Sequence, residues 1–241
     1  MKAYSGFLRL VLATFLLFPS LGQSEVDKVK PRLYMRPGWI FDMECQAKTG
    51  FKIEPAWQME LLKNVGEFQN AWDKYAGQLI QVSEEKVGRH FERSEYEVTL
   101  SVCNFVPMAT PFIMTVKLYL ESYKASKPGG EGKWSLDRFA ILTHHELLHH
   151  LINNTENLEF RSFSKLAQKY KADTHNVLAH LHLMAIQKSV YEKIGRLDLV
   201  KESDKIYGYI GGDYARSWEI VNAEGPEPFL AELKLWNREK K

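Results

Sequence analysis

The chain has 241 residues, of which 45% are hydrophobic and 26% charged, with a formal net charge of +2. That is the balance of a soluble globular chain with one domain, or two small ones at most. So small a net charge leaves no electrostatic footprint for nucleic acid or for an anionic membrane surface, and neither is an expected partner.

The N-terminus comes first in chain order. Lys2 and Arg9 precede an unbroken apolar run from Leu10 to Phe18, which Pro19 and Ser20 end. Ser20-Leu21-Gly22 then supplies small residues where cleavage near Gly22 or Gln23 would need them. A basic start, a short apolar stretch and a small-residue site are the layout of a secretory signal. The run is too short to span a bilayer comfortably. Residues 1–23 are therefore predicted to be a cleaved signal peptide. The mature chain is expected to be secreted or periplasmic, with no stable membrane insertion afterwards. Cys45 and Cys103 are the two cysteines of the chain. In an oxidising compartment such a pair is expected to form a disulfide, the alternative being two unpaired thiols.

Residues 24–241 contain no repeat and no low-complexity tract, which predicts one domain. Residues 30–55, with Pro31, Pro37, Gly38, Gly50 and Pro55, read as an irregular lead-in. Leu61, Val65, Phe68, Trp72, Tyr75 and Leu79 then recur at steps of four and three, one apolar stripe along a long helix. An aromatic stripe at this spacing is read as core. Tyr96, Val98, Leu100 and Val102 alternate with Glu97, Thr99, Ser101 and Cys103. Phe112, Met114, Val116, Leu118 and Leu120 alternate with Ile113, Thr115, Lys117, Tyr119 and Glu121. Both segments read as half-buried strands, joined by a loop around Pro107–Pro111. Lys127 to Gly132 is a clear breaker, and Ser135 reads as the N-cap of the next helix, with Asp137 in its first turn. From there the chain reads helical, with breaks near Asn153–Glu156, at Asp173, at Gly211-Gly212 and at Gly225-Pro226. The expected class is α+β: a long helix and a small sheet, then an active-site helix and a mostly helical C-terminal half.

The helix opening at Ser135 contains Thr143-His144-His145-Glu146-Leu147-Leu148-His149-His150. Four residues advance a helix by about 400°, so His145 and His149 stand about 40° apart, one turn above the other. Two imidazoles so placed can share one Zn²⁺, with Glu146 beside them as a base for an activated water. Such a carboxylate can accept the water's proton and pass it to a leaving amine. His144 and His150 point elsewhere and read as supporting or surface residues.

A catalytic zinc site usually has three protein ligands and one open position. Wound as a helix, Thr174–Ile194 places His180 on a broad apolar face with Val177, Leu183, Met184, Val190 and Tyr191, and leaves His175 and His182 on the polar side. His180 is the preferred third ligand, with Asn176 and Gln187 on its face as groups that could orient ligands. Glu192, Glu202, Asp213 and Glu219 are the rival ligands.

His145-Glu146-Leu147-Leu148-His149 on a helix that follows strands resembles the zincin metallopeptidases. The resemblance covers five motif residues and the order of elements over about residues 56–195. It implies a zincin-like fold, one Zn²⁺ per chain, a peptide or protein substrate, and an edge strand at Phe112–Leu120 that pairs with that substrate. The metzincin pattern would need Gly at Ile152 and His at Thr155, so that subgroup is excluded. The gluzincin pattern would place a Glu where Asn176 and His180 stand, and a subgroup with a third His fits better. Zincins often add a Tyr, His or Arg that donates to the oxyanion. Tyr214 and Arg216, after Gly211-Gly212, are the candidates, the bland alternative being that they only pack or pair at a helix start. The leading expectation is an exported zinc metallopeptidase. Its rivals are a non-catalytic zinc-binding protein (a metal carrier or inactive zincin scaffold) and a helical interaction domain in which the motif is accidental. Asn153-Asn154-Thr155 fits a glycosylation sequon.

Overall fold

A computed structural model describes residues 30–127, 134–152 and 158–239. The expected signal peptide and the sequon lie outside these residues. Arg32, Tyr34 and Arg36 alternate with buried Leu33 and Met35 in strand β1 (Arg32–Pro37), which opens the described chain. Gly38 then turns the chain into helix α1 (Trp39–Thr49). A Cβ at Gly38 would run into the Thr99 side chain. The expectation of an irregular lead-in over 30–55 is thus corrected. Its Pro and Gly residues sit at element ends, where they punctuate structure without preventing it.

Helix α2 (Pro55–Val87) starts with its proline in the first turn and ends at Gly88, whose φ of 71° closes the last turn. Leu61, Phe68, Trp72, Tyr75 and Leu79 are all buried on it, as the stripe predicts. Strand β2 (Glu95–Ser101) follows, with Tyr96, Val98 and Leu100 turned inward. Strand β3 spans only Ile113–Thr115. The sheet has three strands in the order β1-β2-β3, and both pairings are parallel.

The long edge strand expected over Phe112–Leu120 is not present. After Thr115, the Val116 N–H bonds the Ser101 carbonyl at 2.8 Å, and the chain tightens into a 3-10 turn (Lys117–Tyr119). Lys117 and Tyr119, placed outside by the alternation, are buried, as are all three residues of β3. Alternation there reflects a short strand and a turn packed on both faces, not a half-exposed ribbon.

The remaining described chain is helical: α3 (Glu121–Ala125), α4 (Leu136–Leu151), α5 (Leu158–Phe163), α6 (Lys165–Lys169), α7 (His175–Lys193), α8 (Leu197–Ile210), α9 (Gly212–Glu224) and α10 (Glu227–Glu239). The architecture is α+β, with one hydrophobic cluster drawing on the sheet and on helices from α2 to α10. Helix α7 touches α2, α4, α8, α9 and α10, so it is buried nearly all round. No helix among the described residues is long and apolar enough to cross a membrane.

Cys45 on α1 is joined to Cys103, just past β2, with Cα atoms 6.5 Å apart. The bridge closes a loop with a sequence separation of 58. In the chain-entropy account, opening a loop of that size costs about 4 kcal/mol of stability. Urea unfolding of a Cys45→Ala/Cys103→Ala double variant should therefore show a midpoint well below that of the wild type. Equal midpoints would mean that the bridge constrains nothing the fold does not already fix.

Candidate metal centre

Helix α4 is built to sit in the core. The Ser135 hydroxyl accepts from the Arg138 N–H at 3.3 Å, capping the first turn. Every residue from Phe139 to Leu148 is buried, so the turns that lead to His149 are held by packing. His145 is 1% exposed, and its ring lies 5.3 Å from that of His149, one turn further on. His149 is half-buried and faces a cleft.

Helix α7 brings the third imidazole. The Thr174 hydroxyl caps it by accepting from the Val177 N–H at 3.2 Å. The His180 ring lies 5.3 Å from His145 and 5.2 Å from His149. One ligand atom from each of the three lies within 4.8 Å of the other two, so His145, His149 and His180 could hold a metal ion. Among the described residues no other three His, Cys, Asp or Glu are gathered in this way. The rival acids are elsewhere: Glu202 pairs with Arg138 and Lys205, Glu219 pairs with Arg216, and Glu192 and Asp213 are outside the group.

The free nitrogens can be worked out from partners that only accept. His180 Nδ1 lies 2.7 Å from the Asn176 carbonyl, so Nδ1 carries the proton and Nε2 has the lone pair. Asn176 therefore supports the ligand through its main chain. His145 Nδ1 meets the Tyr207 hydroxyl at 2.9 Å, while His145 Nε2 is buried with no hydrogen-bond partner. Burial, seconded by the neighbouring His149 and His180, holds the His145 pKa well below the usual histidine value. It stays neutral, the form that ligates.

His149 and His180 line a cleft of about 770 Å³ together with Glu146 and Tyr214, and His145 is buried beside them. Tyr96 and the loop from Pro107 to Phe112 line the cleft too. Glu146 is 4% exposed. Tyr214 comes from the first turn of α9. Gly211, with φ 71° and ψ −164°, adopts a backbone shape nearly closed to other residues, and so allows α9 to start immediately after α8. The Tyr214 ring is thereby set 4.7 Å from His180 and 5.9 Å from His145. Burial first, then the Glu146 charge, pushes its phenol up to about 12, so it remains an O–H donor. Arg216 does not reach the cleft. It bonds Asp173 at 3.1 Å and Glu219 at 3.0 Å instead, because two residues along a helix turn it to the far side from Tyr214.

Of the other histidines, only His182 departs from its sequence reading. His144 is fully buried, between Ser83 and Tyr191. His150 lines the cleft, its ring 4.7 Å from that of Tyr96 and 5.6 Å from that of Phe112. His175 is exposed at the cleft against Arg161. His182, assigned to a polar side, is 2% exposed because α10 covers that face. Burial lowers the His182 pKa despite Glu232, whose carboxylate is itself held low. A neutral imidazole thus donates Nε2–H to an ionised acid, over 3.0 Å.

No family model matches the chain, and no curated protein or solved structure matches it. Its function must be argued from the chemistry of the site.

Desolvation lowers the His144 pKa from 6.5 to about 3. Between those values the unfolded chain binds a proton that the folded chain refuses, so stability falls as pH falls. For metal-free protein in urea, the unfolding free energy of wild type should drop more steeply than that of His144→Gln below about pH 6.5. The slope difference should be about 1.4 kcal/mol per pH unit. Parallel slopes would show that His144 charges without cost in the fold.

Proposed function

We propose that this chain is an exported, zinc-dependent peptidase, with His145, His149 and His180 as ligands and Glu146 as general base. The reading is carried by one observation: Glu146 and Tyr214 line the same cleft as His149 and His180, two of the three histidines of the group. The residues fit zinc. Three imidazoles are a preferred zinc donor set, and the buried, unpartnered Nε2 of His145 is an otherwise unexplained polar atom. Zinc–nitrogen bonds of about 2.1 Å in a tetrahedral set place the nitrogens about 3.4 Å apart. The group, whose ligand atoms lie within 4.8 Å of one another, would close on the ion by ring rotation.

Zinc bound there would supply Lewis acidity, polarising the scissile carbonyl and making water a competent nucleophile near neutral pH. The chain's own residues would do the rest. Glu146 takes a proton from water as its oxygen bonds the carbonyl carbon. It then gives that proton to the amide nitrogen as the C–N bond breaks. Tyr214, kept as a neutral phenol, donates to the oxygen that gathers negative charge. The open cleft, walled by Tyr96 and Phe112, has room for an extended peptide. Export is supported by the N-terminal sequence pattern and by the Cys45–Cys103 bridge, a bond typical of oxidising compartments. A carboxylate beside the ligands has no task in a metal carrier, and this favours an enzyme over a binding protein.

A peptide-library digest with and without chelator tests the proposal. Zinc-loaded wild type should cleave, chelated protein should not, and Glu146→Gln should retain metal while losing at least about 10²-fold in kcat/KM. Tyr214→Phe should lose about 10²–10³-fold, mostly in kcat. Zinc retained by wild type with no peptide cleaved would place the chain among non-catalytic metal-binding proteins.

A further inference from the structure

Behind His145 a run of buried polar groups crosses from α4 to α8, α7 and back to α2. The Gln187 amide nitrogen lies 2.9 Å from the Ile141 carbonyl. A carbonyl only accepts, which fixes which end of the amide is nitrogen. The amide oxygen therefore faces Tyr207, whose hydroxyl donates to it. A phenol has one proton, and Tyr207 has spent it on Gln187. Towards His145 it can only accept, so the 2.9 Å contact is a donation from His145 Nδ1–H. The lone pair of His145 is left on Nε2.

The other branch agrees independently. Gln187 sends its second N–H to the Tyr191 oxygen at 3.0 Å. Ser83 donates to the Leu79 carbonyl at 2.6 Å, so at 3.0 Å it accepts from His144 Nε2–H. His144 Nδ1 is left bare and accepts from the Tyr191 hydroxyl at 3.2 Å. Two backbone carbonyls, Ile141 and Leu79, thus set the direction of every bond between them. The single atom left unmatched in this set is His145 Nε2.

We propose that Tyr207 and Gln187 are positioning residues that hold His145 as its Nδ1–H tautomer before any metal arrives, leaving Nε2 bare towards His149 and His180. Neutral histidine in water favours the opposite tautomer, so the preference must come from the protein. Tyr207 acts as an acceptor only because Gln187 takes its proton. This rests on the metal-centre reading for its purpose, but not for its test.

The test is ¹⁵N NMR of metal-free protein labelled at histidine ring nitrogens, with the His145 signals assigned through a His145→Gln variant. Wild type should show a protonated Nδ1 and a bare Nε2 at His145. In Tyr207→Phe the acceptor is gone, so the proton should move wholly or partly to Nε2. Zinc affinity, read by competition with a chromophoric chelator, should fall by about 10–100-fold. Should that variant fold poorly, Gln187→Leu serves: it frees the Tyr207 proton to turn towards His145, and the tautomer should switch to Nε2–H. A protonated Nε2 in the wild type, or a tautomer indifferent to both substitutions, would overturn the proposal. The stated tautomer in a protein that binds no zinc would uphold the relay and remove the peptidase reading alone.

Discussion

A helix buried on nearly all sides must find a partner for each polar group it carries inward, or bear the cost of leaving that group dry. Helices α4 and α7 meet under that constraint. Each is buried over most of its length, yet between them they hold His144, His145, Glu146, His180, His182 and Gln187 out of water. His182 is settled by Glu232, and His144 by Ser83 and Tyr191. His180 Nδ1 is settled by the Asn176 carbonyl, and His145 Nδ1 by Tyr207. His145 Nε2 has no such partner among the described residues. A divalent metal is the group that would meet this need, since gathered imidazoles offer lone pairs to such an ion.

The rest of the fold serves to keep that meeting rigid. The α2 stripe supplies Ser83 at the far end of the polar run as well as the apolar floor. The Gly211 turn lets α9 begin where Tyr214 can reach the cleft. The start of β2 and the loop that follows that strand line the cleft as well, and the Cys45–Cys103 bridge ties α1 to the end of β2. Precision in such a site comes from packed supports behind the ligands, not from the ligands alone.

Much of this was legible in the sequence because it depends on local spacing. The i, i+4 pair His145 and His149, the cap at Ser135 and the long apolar stripe are written within a few turns of helix. The choice of His180 over the rival acids followed from its place on an apolar face. What was not legible depends on contacts distant in sequence. His182 looked polar-sided because α10, which covers it, is some fifty residues away along the chain. Arg216 looked available because its partner Asp173 lies in another segment. The alternation from Phe112 to Glu121 reads as strand, but β2 ends at Ser101 and offers nothing further to pair with. Tyr207 carried no distinguishing signal, being one more aromatic on the buried face of α8 beside Ile206. Its importance appears only when the direction of each hydrogen bond is followed.

A metal centre requires that the three imidazoles hold one metal ion. Zinc content per chain, measured by plasma emission spectrometry on wild type, His149→Ala and His180→Ala, tests this most directly. Close to one zinc per wild-type chain is expected, with loss of zinc in both variants. A wild type that remains free of zinc after reconstitution would contradict it, and so would a His180→Ala protein that keeps its metal.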